Sequence, residues 1–323
     1  MSPKSTHQII TVTLNPAIDQ TVFVDHLIPG TMHRASRSHR QAGGKGINVG
    51  TMLSIGGASV AVAGFLGEAN PSIFEEHFRS HNLRDAFVRV PGETRTGIKI
   101  VDAKEDSTTD VNLPGPAPTE AQCERLLNKL LKLVQPGMWV VISGSLPVGV
   151  EPSFLVRMIQ ALRAADAKVA VDSSGVALTA ALETGVDLAK PNAHELAEFL
   201  GAEPKGFKAV LKAARQLHRE RVPNLIVSLG DEGALFLSEN AELMASAPPV
   251  QVVSTVGAGD SLLAGYLQGL LRGESAPDCA RLATVYAWSR LESLVSALPD
   301  EATLSKRLAR VSVQPITPYN PQS

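Results

Sequence analysis

Met138-Trp139-Val140-Val141-Ile142 is apolar at every position, with no polar alternation. A short run of this kind suits a β-strand covered on both faces, the situation of a parallel sheet sandwiched between helices. Working outward, Ile9–Leu14, Val60–Phe65, Lys168–Asp172 and Leu225–Leu229 read as further strands. Helical periodicity predicts helices between them, over roughly Gly46–Ile55, Pro71–His81, Thr119–Val134, Pro152–Ala165 and Gly206–Glu220. Strand–helix alternation implies right-handed βαβ crossovers, so the fold class is α/β with a mainly parallel sheet and helices on both faces.

Two stretches break the alternation. Gln20–Val24 follows the first strand with no helix between, and Phe87–Val90, Thr96–Asp102 and Thr108–Asn112 read as three short strands in succession. Lys104-Glu105-Asp106-Ser107 supplies a hairpin turn, and Leu113-Pro114-Gly115-Pro116-Ala117-Pro118 returns the chain to the core. The expectation is one domain over residues 1–323, with a small antiparallel sheet inserted near 20–40 and 87–113. That sheet is either a lid over a ligand site or an edge meander without a role. The segment Gln314–Ser323, with three prolines and no periodicity, is expected to be irregular surface.

Composition narrows the function. Lys+Arg number 30 against 32 Asp+Glu, a formal net charge of −2, so the chain lacks the positive field of a duplex-DNA coat or a polybasic membrane binder. At 44% hydrophobic and 19% charged, it can bury an ordinary core. Cys123 and Cys279 carry no metal-ligand spacing. No apolar run approaches the ~18 residues of a membrane span, and the run at Ile9–Leu14 is too short for a secretion signal, so a cytoplasmic protein is expected. The basic run His33, Arg34, Arg37, His39 and Arg40 reads as a solvated loop.

The chemistry concentrates in three blocks. Ser254-Thr255-Val256-Gly257-Ala258-Gly259-Asp260-Ser261 follows the β-like Val250–Val253 and opens a helix with apolar residues at helical spacing. Small residues at 257–259 let backbone amides approach an anion, and the helix dipole adds to them. Asp260 in the first turn either complements that dipole or serves as a general base beside the anion. Gln41-Ala42-Gly43-Gly44-Lys45-Gly46-Ile47-Asn48 combines close backbone approach, a cation and an amide, and is otherwise a plain Gly-rich turn. It lacks the Ser or Thr and the glycine spacing of a Walker A loop. In Lys190-Pro191-Asn192-Ala193-His194-Glu195, Asn192 and Glu195 share one helix face. They either form a capping box or help to hold a hydrated Mg²⁺.

Read together, these blocks resemble the PfkB-type (ribokinase-like) carbohydrate kinases. Along the chain they are Thr13-Leu14-Asn15-Pro16-Ala17-Ile18-Asp19, Gly44-Lys45-Gly46-Ile47-Asn48-Val49, Gly64-Phe65-Leu66-Gly67-Glu68, Ser143-Gly144-Ser145-Leu146-Pro147, Lys190–Glu195 and Val253–Ser261. The resemblance is to the phosphosugar branch, nearest to members that phosphorylate fructose 1-phosphate, with kinases of tagatose 6-phosphate and fructose 6-phosphate close by. It implies a Rossmann-type three-layer sandwich with a β-sheet lid, a homodimer formed through that lid, and ATP with Mg²⁺. By the same resemblance Asp260 is the catalytic base, and the amides of Gly257, Ala258 and Gly259 are the anion hole. Asp19, Gly43, Gly44, Lys45, Asn48, Arg95, Lys99 and Ser143 form the substrate side. Lys190, Asn192, Ser228, Gly230, Ser254, Thr255, Val256, Gly257 and Gly259 form the nucleotide side, with Asn192 and Glu195 holding the metal through water. The cations Lys45, Arg95 and Lys99 suit a substrate that already carries a phosphate. Two positions depart from the pattern: Gly97 stands where this branch carries Asn, and Ala287-Trp288-Ser289-Arg290 replaces small residues. Trp288 is expected to pack inward and Arg290 to be solvated, or else the adenine pocket is altered.

Overall fold

The computed structural model describes residues 8–201, 204 and 206–316. The chain opens with β1 (Ile9–Thr13), leaves the core for β2 (Ala17–Val24) and β3 (Arg37–Gly43), and returns with α1 (Lys45–Ile55). Next come β4 (Val60–Gly67), α2 (Ser72–Ser80), β5 (Arg84–Asp85), β6 (Val88–Val90) and the hairpin β7 (Thr96–Asp102) and β8 (Ser107–Asn112). Regular alternation then gives α3 (Glu120–Leu133), β9 (Trp139–Ser143), α4 (Pro152–Ala164), β10 (Lys168–Asp172), α5 (Gly175–Thr184) and β11 (Leu188–Ala189). Two helices, α6 (Ala193–Leu200) and α7 (Phe207–Glu220), lead to β12 (Asn224–Ser228). The antiparallel β13 (Ala234–Ser238) and β14 (Ala241–Ser246) precede α8 (Ala258–Arg272), α9 (Ala276–Leu291), α10 (Glu301–Arg310) and β15 (Ser312–Pro315).

The main sheet runs β5-β4-β1-β9-β10-β11-β12-β13-β14-β15, with β6 also on β4. Strands β1, β4 to β6 and β9 to β12 are mutually parallel, so their carboxyl ends share one rim. Alternate residues feed two cores, one on each face. Ile10, Val12, Val140 and Val169 pack with helices α3 to α7, while Ile9, Val141, Ala170 and Ile226 pack with α1, α2, α8 and α9. The apolar run at 139–142 is therefore sandwiched, as its composition requires. The structure is a three-layer α/β sandwich with a second, four-stranded sheet ordered β3-β2-β7-β8.

Several local expectations are corrected. Phe87–Val90 does not join the small sheet. Its strand β6 pairs in parallel with Phe65–Gly67 of the main one, and Phe87 and Val88 sit in the core. The small sheet is mixed rather than antiparallel, because β7 lies parallel to β2. Arg37, His39 and Arg40, read as a loop, lie in β3 and pair with β2, although their side chains are exposed. Val250–Val253 forms no strand: Val252 and Val253 are exposed, and the Val253 amide donates to Leu291 at the end of α9. Gln314 and Pro315 belong to β15, while residues 317–323 lie outside the described residues. Among the described residues no helix is long and apolar enough to cross a membrane.

Candidate active site

The rim of carboxyl ends collects the polar side chains, because a parallel sheet leaves its cleft there. Asp172 ends β10 and is fully buried. Lys45 Nζ, on the first residue of α1, lies 3.1 Å from Asp172 Oδ1, and Lys190 Nζ, just after β11, lies 3.3 Å from Oδ2. Burial favours the neutral acid at Asp172, but the two ammonium groups outweigh it and hold the carboxyl below its ordinary range. Burial likewise opposes the charge of Lys45, and Asp172 more than compensates, holding that ammonium above its usual range. Asp172 was not among the residues expected from sequence. A polar residue closing a buried strand carries no distinguishing pattern, and only the meeting of Lys45 and Lys190 marks it.

Asp260 lies in the first turn of α8 and is buried. The side-chain amide of Asn48, on α1, donates to its Oδ2 at 2.8 Å. Burial and the neighbouring Asp172 push the Asp260 carboxyl up from 3.8 to about 6, against the Asn48 hydrogen bond, Lys45 and Lys190. Gly257 caps the helix in the left-handed region, at φ +78°, where a side chain would be strained. Among the described residues the amides of Gly257, Gly259 and Asp260 donate to nothing in the protein, whereas Ala258 N donates to Thr255 at 3.3 Å. Two of the three amides expected to face an anion are thus free, and Asp260's own joins them. A Cβ added to Gly259 would stand 3.3 Å from Lys190 Nζ, so that ammonium sits beside the turn. Ahead of it, the Ser254 hydroxyl accepts from Val256 N at 3.2 Å.

Asp19 on β2 faces the same space from the second sheet, in register with Gln41 of β3 and Gly97 of β7. A Cβ on Gly43 would stand 2.1 Å from Asp19 Oδ2, so only glycine leaves that carboxylate its place. Gly44, at φ +123°, turns the chain sharply into α1 and sets Lys45 over Asp172. Burial raises the Asp19 carboxyl, with Arg95 and Lys99 pulling the other way. Both cations lie near Asp19 but have partners on their own side. Arg95 donates to Asn15 Oδ1 at 3.1 Å and Asn112 Oδ1 at 3.2 Å, and Lys99 pairs with Asp110 at 2.5 Å. Ser143 ends β9 in register with Asp172, buried, its hydroxyl unpartnered among the described residues.

A cleft of about 350 Å³ opens on the far side, lined by Asn192, Phe207, Val210, Ser228 and Gly230 among others. An isolated β-bridge between Asn192 and Ser228 ties its two walls together. Asn192 and Glu195 form a reciprocal capping box on α6: Asn192 N donates to Glu195 Oε2 at 2.9 Å, and Glu195 N to Asn192 Oδ1 at 2.8 Å. That leaves Glu195 Oε1 as the carboxylate oxygen the pair can offer a hydrated cation. Among the described residues no group of three or more His, Cys, Asp or Glu could hold a metal directly.

A model of the pfkB family carbohydrate kinases matches residues 12–297. The chain belongs to the pfkB family. Similar relatives include the 1-phosphofructokinase of Xanthomonas campestris, 42% identical over 88% of this chain and 92% of that protein. The 1-phosphofructokinase of Rhodobacter capsulatus is 38% identical over 97% of this chain and 99% of that protein. Among solved structures, phosphofructokinase-2 from Escherichia coli with substrates and products superposes with a TM-score of 0.88, at 29% identity over 94% of this chain and 98% of that one. The three-layer sandwich is thus the ribokinase-like architecture, and ATP-dependent phosphotransfer to a sugar is the chemistry of this pfkB family. Of the two departures from its sequence pattern, Gly97 lies opposite Asn112 of β8, whose Oδ1 would be 3.2 Å from a Cβ at 97. Trp288 packs inward as expected, whereas Arg290, expected in solvent, is buried.

Proposed function

We propose that this chain is a 1-phosphofructokinase, transferring the γ-phosphoryl group of ATP to fructose 1-phosphate to give fructose 1,6-bisphosphate. One observation carries the catalytic part. Asp260, poised near pH 6, is held by Asn48 beside the unpartnered amides at the start of α8. An alcohol is a poor nucleophile at neutral pH, so a carboxylate that takes its proton during attack supplies what the hydroxyl lacks. The oxygen–phosphorus bond forms as the bridge to the β-phosphate breaks, ADP leaves, and the proton goes to Asp260. The amides of Gly257 and Gly259, the α8 dipole and Lys190 face the charge that develops on the phosphoryl oxygens. Asn192 and Glu195 would hold a hydrated Mg²⁺ through water, with Glu195 Oε1 as the free carboxylate oxygen, and the ion would supply charge screening for the nucleotide phosphates.

Asp19, with Gly43 and Gly44 keeping its approach open, orients the sugar hydroxyls, and Ser143 supplies a further hydroxyl. Lys45, Arg95 and Lys99 receive the phosphate already on the sugar, and Asn112 fills the place opposite Gly97. Asn192, Ser228, Gly230 and the segment Ser254, Thr255 and Val256 flank the nucleotide. The sheet β3-β2-β7-β8 acts as a lid, and its exposed strands β3 and β8 make it the contact of a homodimer in the cytoplasm.

The 1-phosphofructokinase names of the relatives support fructose 1-phosphate. The E. coli phosphofructokinase-2 solved with fructose-6-phosphate, at a TM-score of 0.86, favours a second reading in which the 6-phosphate is used. An ADP-release assay with MgATP, comparing fructose 1-phosphate, fructose 6-phosphate and tagatose 6-phosphate by kcat/KM, separates them. A preference for either 6-phosphate rejects the substrate assignment and leaves the mechanism standing.

A further inference from the structure

Helix α9 ends in a buried arginine. Arg290 is 5% exposed, and its Nε lies 3.2 Å from where a Cβ on Gly257 would stand. The same Cβ would stand 3.8 Å from Asp260 Oδ2, so the guanidinium and that carboxyl flank one glycine. Asp260 and Asp19 act on the Arg290 charge, yet among the described residues Arg290 forms a salt bridge with neither. Among the described residues its one hydrogen bond runs from Nη1 to the Ser293 carbonyl. A guanidinium has five donors, so most of its capacity points at no protein acceptor. A buried cation without a counter-ion is costly, and such a group persists where a ligand or a reaction uses it. Arg215 shows the contrast: equally buried, it is locked to Glu242 at 2.6 Å.

The helix end that carries this cation is braced. Trp288 Nε1 donates to Glu292 at 2.8 Å, Arg307 pairs with Glu292 at 2.6 Å, and Arg307 lies over the Trp288 ring. The next residue, Leu291, accepts the amides of Val253 and Ser254 at 2.7 and 3.2 Å, tying the end of α9 to the segment that leads into the turn at Gly257. The turn therefore has Lys190 at its Gly259 end and Arg290 at its Gly257 end.

We propose that Arg290 is a built-in cation of the phosphoryl-transfer centre, receiving the transferred group opposite Lys190 and favouring the ionised form of Asp260. This rests on the reading of Asp260 and its turn as the reaction centre. Arg290 exchanges no proton or electron pair; it stabilises charge while the hydroxyl proton passes to Asp260. The other groups facing Asp260 are Asp172, Lys45, Lys190 and Asn48, from β10, α1 and the segment after β11. Among the described residues Arg290 differs from the two lysines in having no carboxylate of its own.

The test uses the full chain and compares Arg290→Ala, Arg290→Lys, Arg290→Gln and Asp260→Asn by melting temperature, kcat, both KM values and the pH profile of kcat/KM. Arg290→Ala is expected to lower kcat about 10²-fold, the scale of removing one preorganised charge-stabilising donor. Both KM values should move less than threefold, the acid limb should shift to higher pH, and added guanidinium ion should restore part of kcat. Arg290→Lys should exceed Arg290→Gln in kcat by at least tenfold, a comparison that holds even if the alanine variant does not fold. The proposal is overturned if folded Arg290→Ala keeps kcat within threefold, or if Lys and Gln turn over alike. It is equally overturned by a loss that guanidinium does not rescue and that leaves the acid limb in place. An inactive Asp260→Asn beside a normal Arg290→Ala removes this proposal alone, whereas near-normal turnover in Asp260→Asn removes the reading beneath it.

Discussion

The two sheets meet at one cleft but are built on different terms. The main sheet is covered on both faces, and the charges at its strand ends are paired, buried Asp172 with buried Lys190 and half-buried Lys45. The second sheet, proposed above as a lid, is a single layer. Strand β8 is exposed throughout, and the cations Lys99 of β7 and Arg95 just before it rest on Asp110, Asn15 and Asn112. Charge in the first setting is expensive to disturb and strongly coupled, while in the second it is screened and replaceable. Chemistry should therefore fail when the first is changed, and substrate affinity when the second is.

The sharpest break is Asp260→Ala, expected to keep the fold and lose about 10³-fold in kcat, the range of a missing general base. For the intact protein, kcat/KM should fall as pH drops through about 6, where Asp260 gains a proton. The sign for stability is opposite. A carboxyl raised from 3.8 to about 6 binds a proton more readily folded than unfolded, so its ionisation destabilises the fold across that window. Asp260→Asn should consequently gain in melting temperature relative to the parent between pH 4 and 6.5, and equal behaviour at both ends would contradict the raised carboxyl. Next comes Asp172→Asn, which strips two ammonium groups of their shared partner and should cost about 3 kcal/mol in urea unfolding. On the lid, Arg95→Ala should raise the KM for the phosphosugar about 20-fold, the value of a lost charge-assisted contact, with melting temperature nearly unchanged. Lys45→Ala stands between the two regions and should raise the phosphosugar KM more than that for ATP; equal effects would place it elsewhere. The smallest effect is expected of Asp110→Ala, since an exposed pair with Lys99 contributes at most about 1 kcal/mol.

The same contrast governs what could be read from the sequence. Strands of the main sheet announce themselves, because burial on both faces demands unbroken apolar runs; β10 spans Lys168–Asp172 as expected. Strand β3 is not legible because Arg37-Ser38-His39-Arg40 has no buried face, and its pairing with β2 there rests on backbone hydrogen bonds and on surface contacts such as Arg37 over the Phe23 ring. Phe87–Val90 was assigned to the wrong sheet, since a short apolar run does not say which edge it joins. Asp260, Asn48 and Lys45 were legible as parts of local motifs, and their convergence was implied by the family. Asp172 and the burial of Arg290 were not legible, because both are defined by what packs around them from distant segments.

The order of the strands also sets an order of assembly. The small sheet is complete by residue 112 of 323, and β1 sits with β4 and β9 on either side, so the amino-terminal half can pair most of its strands early. Its face toward α8 and α9 must wait, because those helices come only after residue 258. During synthesis, at roughly 5–20 residues per second, that apolar face stays open for about 10 to 30 seconds. The nascent chain is consequently at its most adhesive while the small sheet already has its shape, and the turn that carries Asp260 is completed only as the core is sealed.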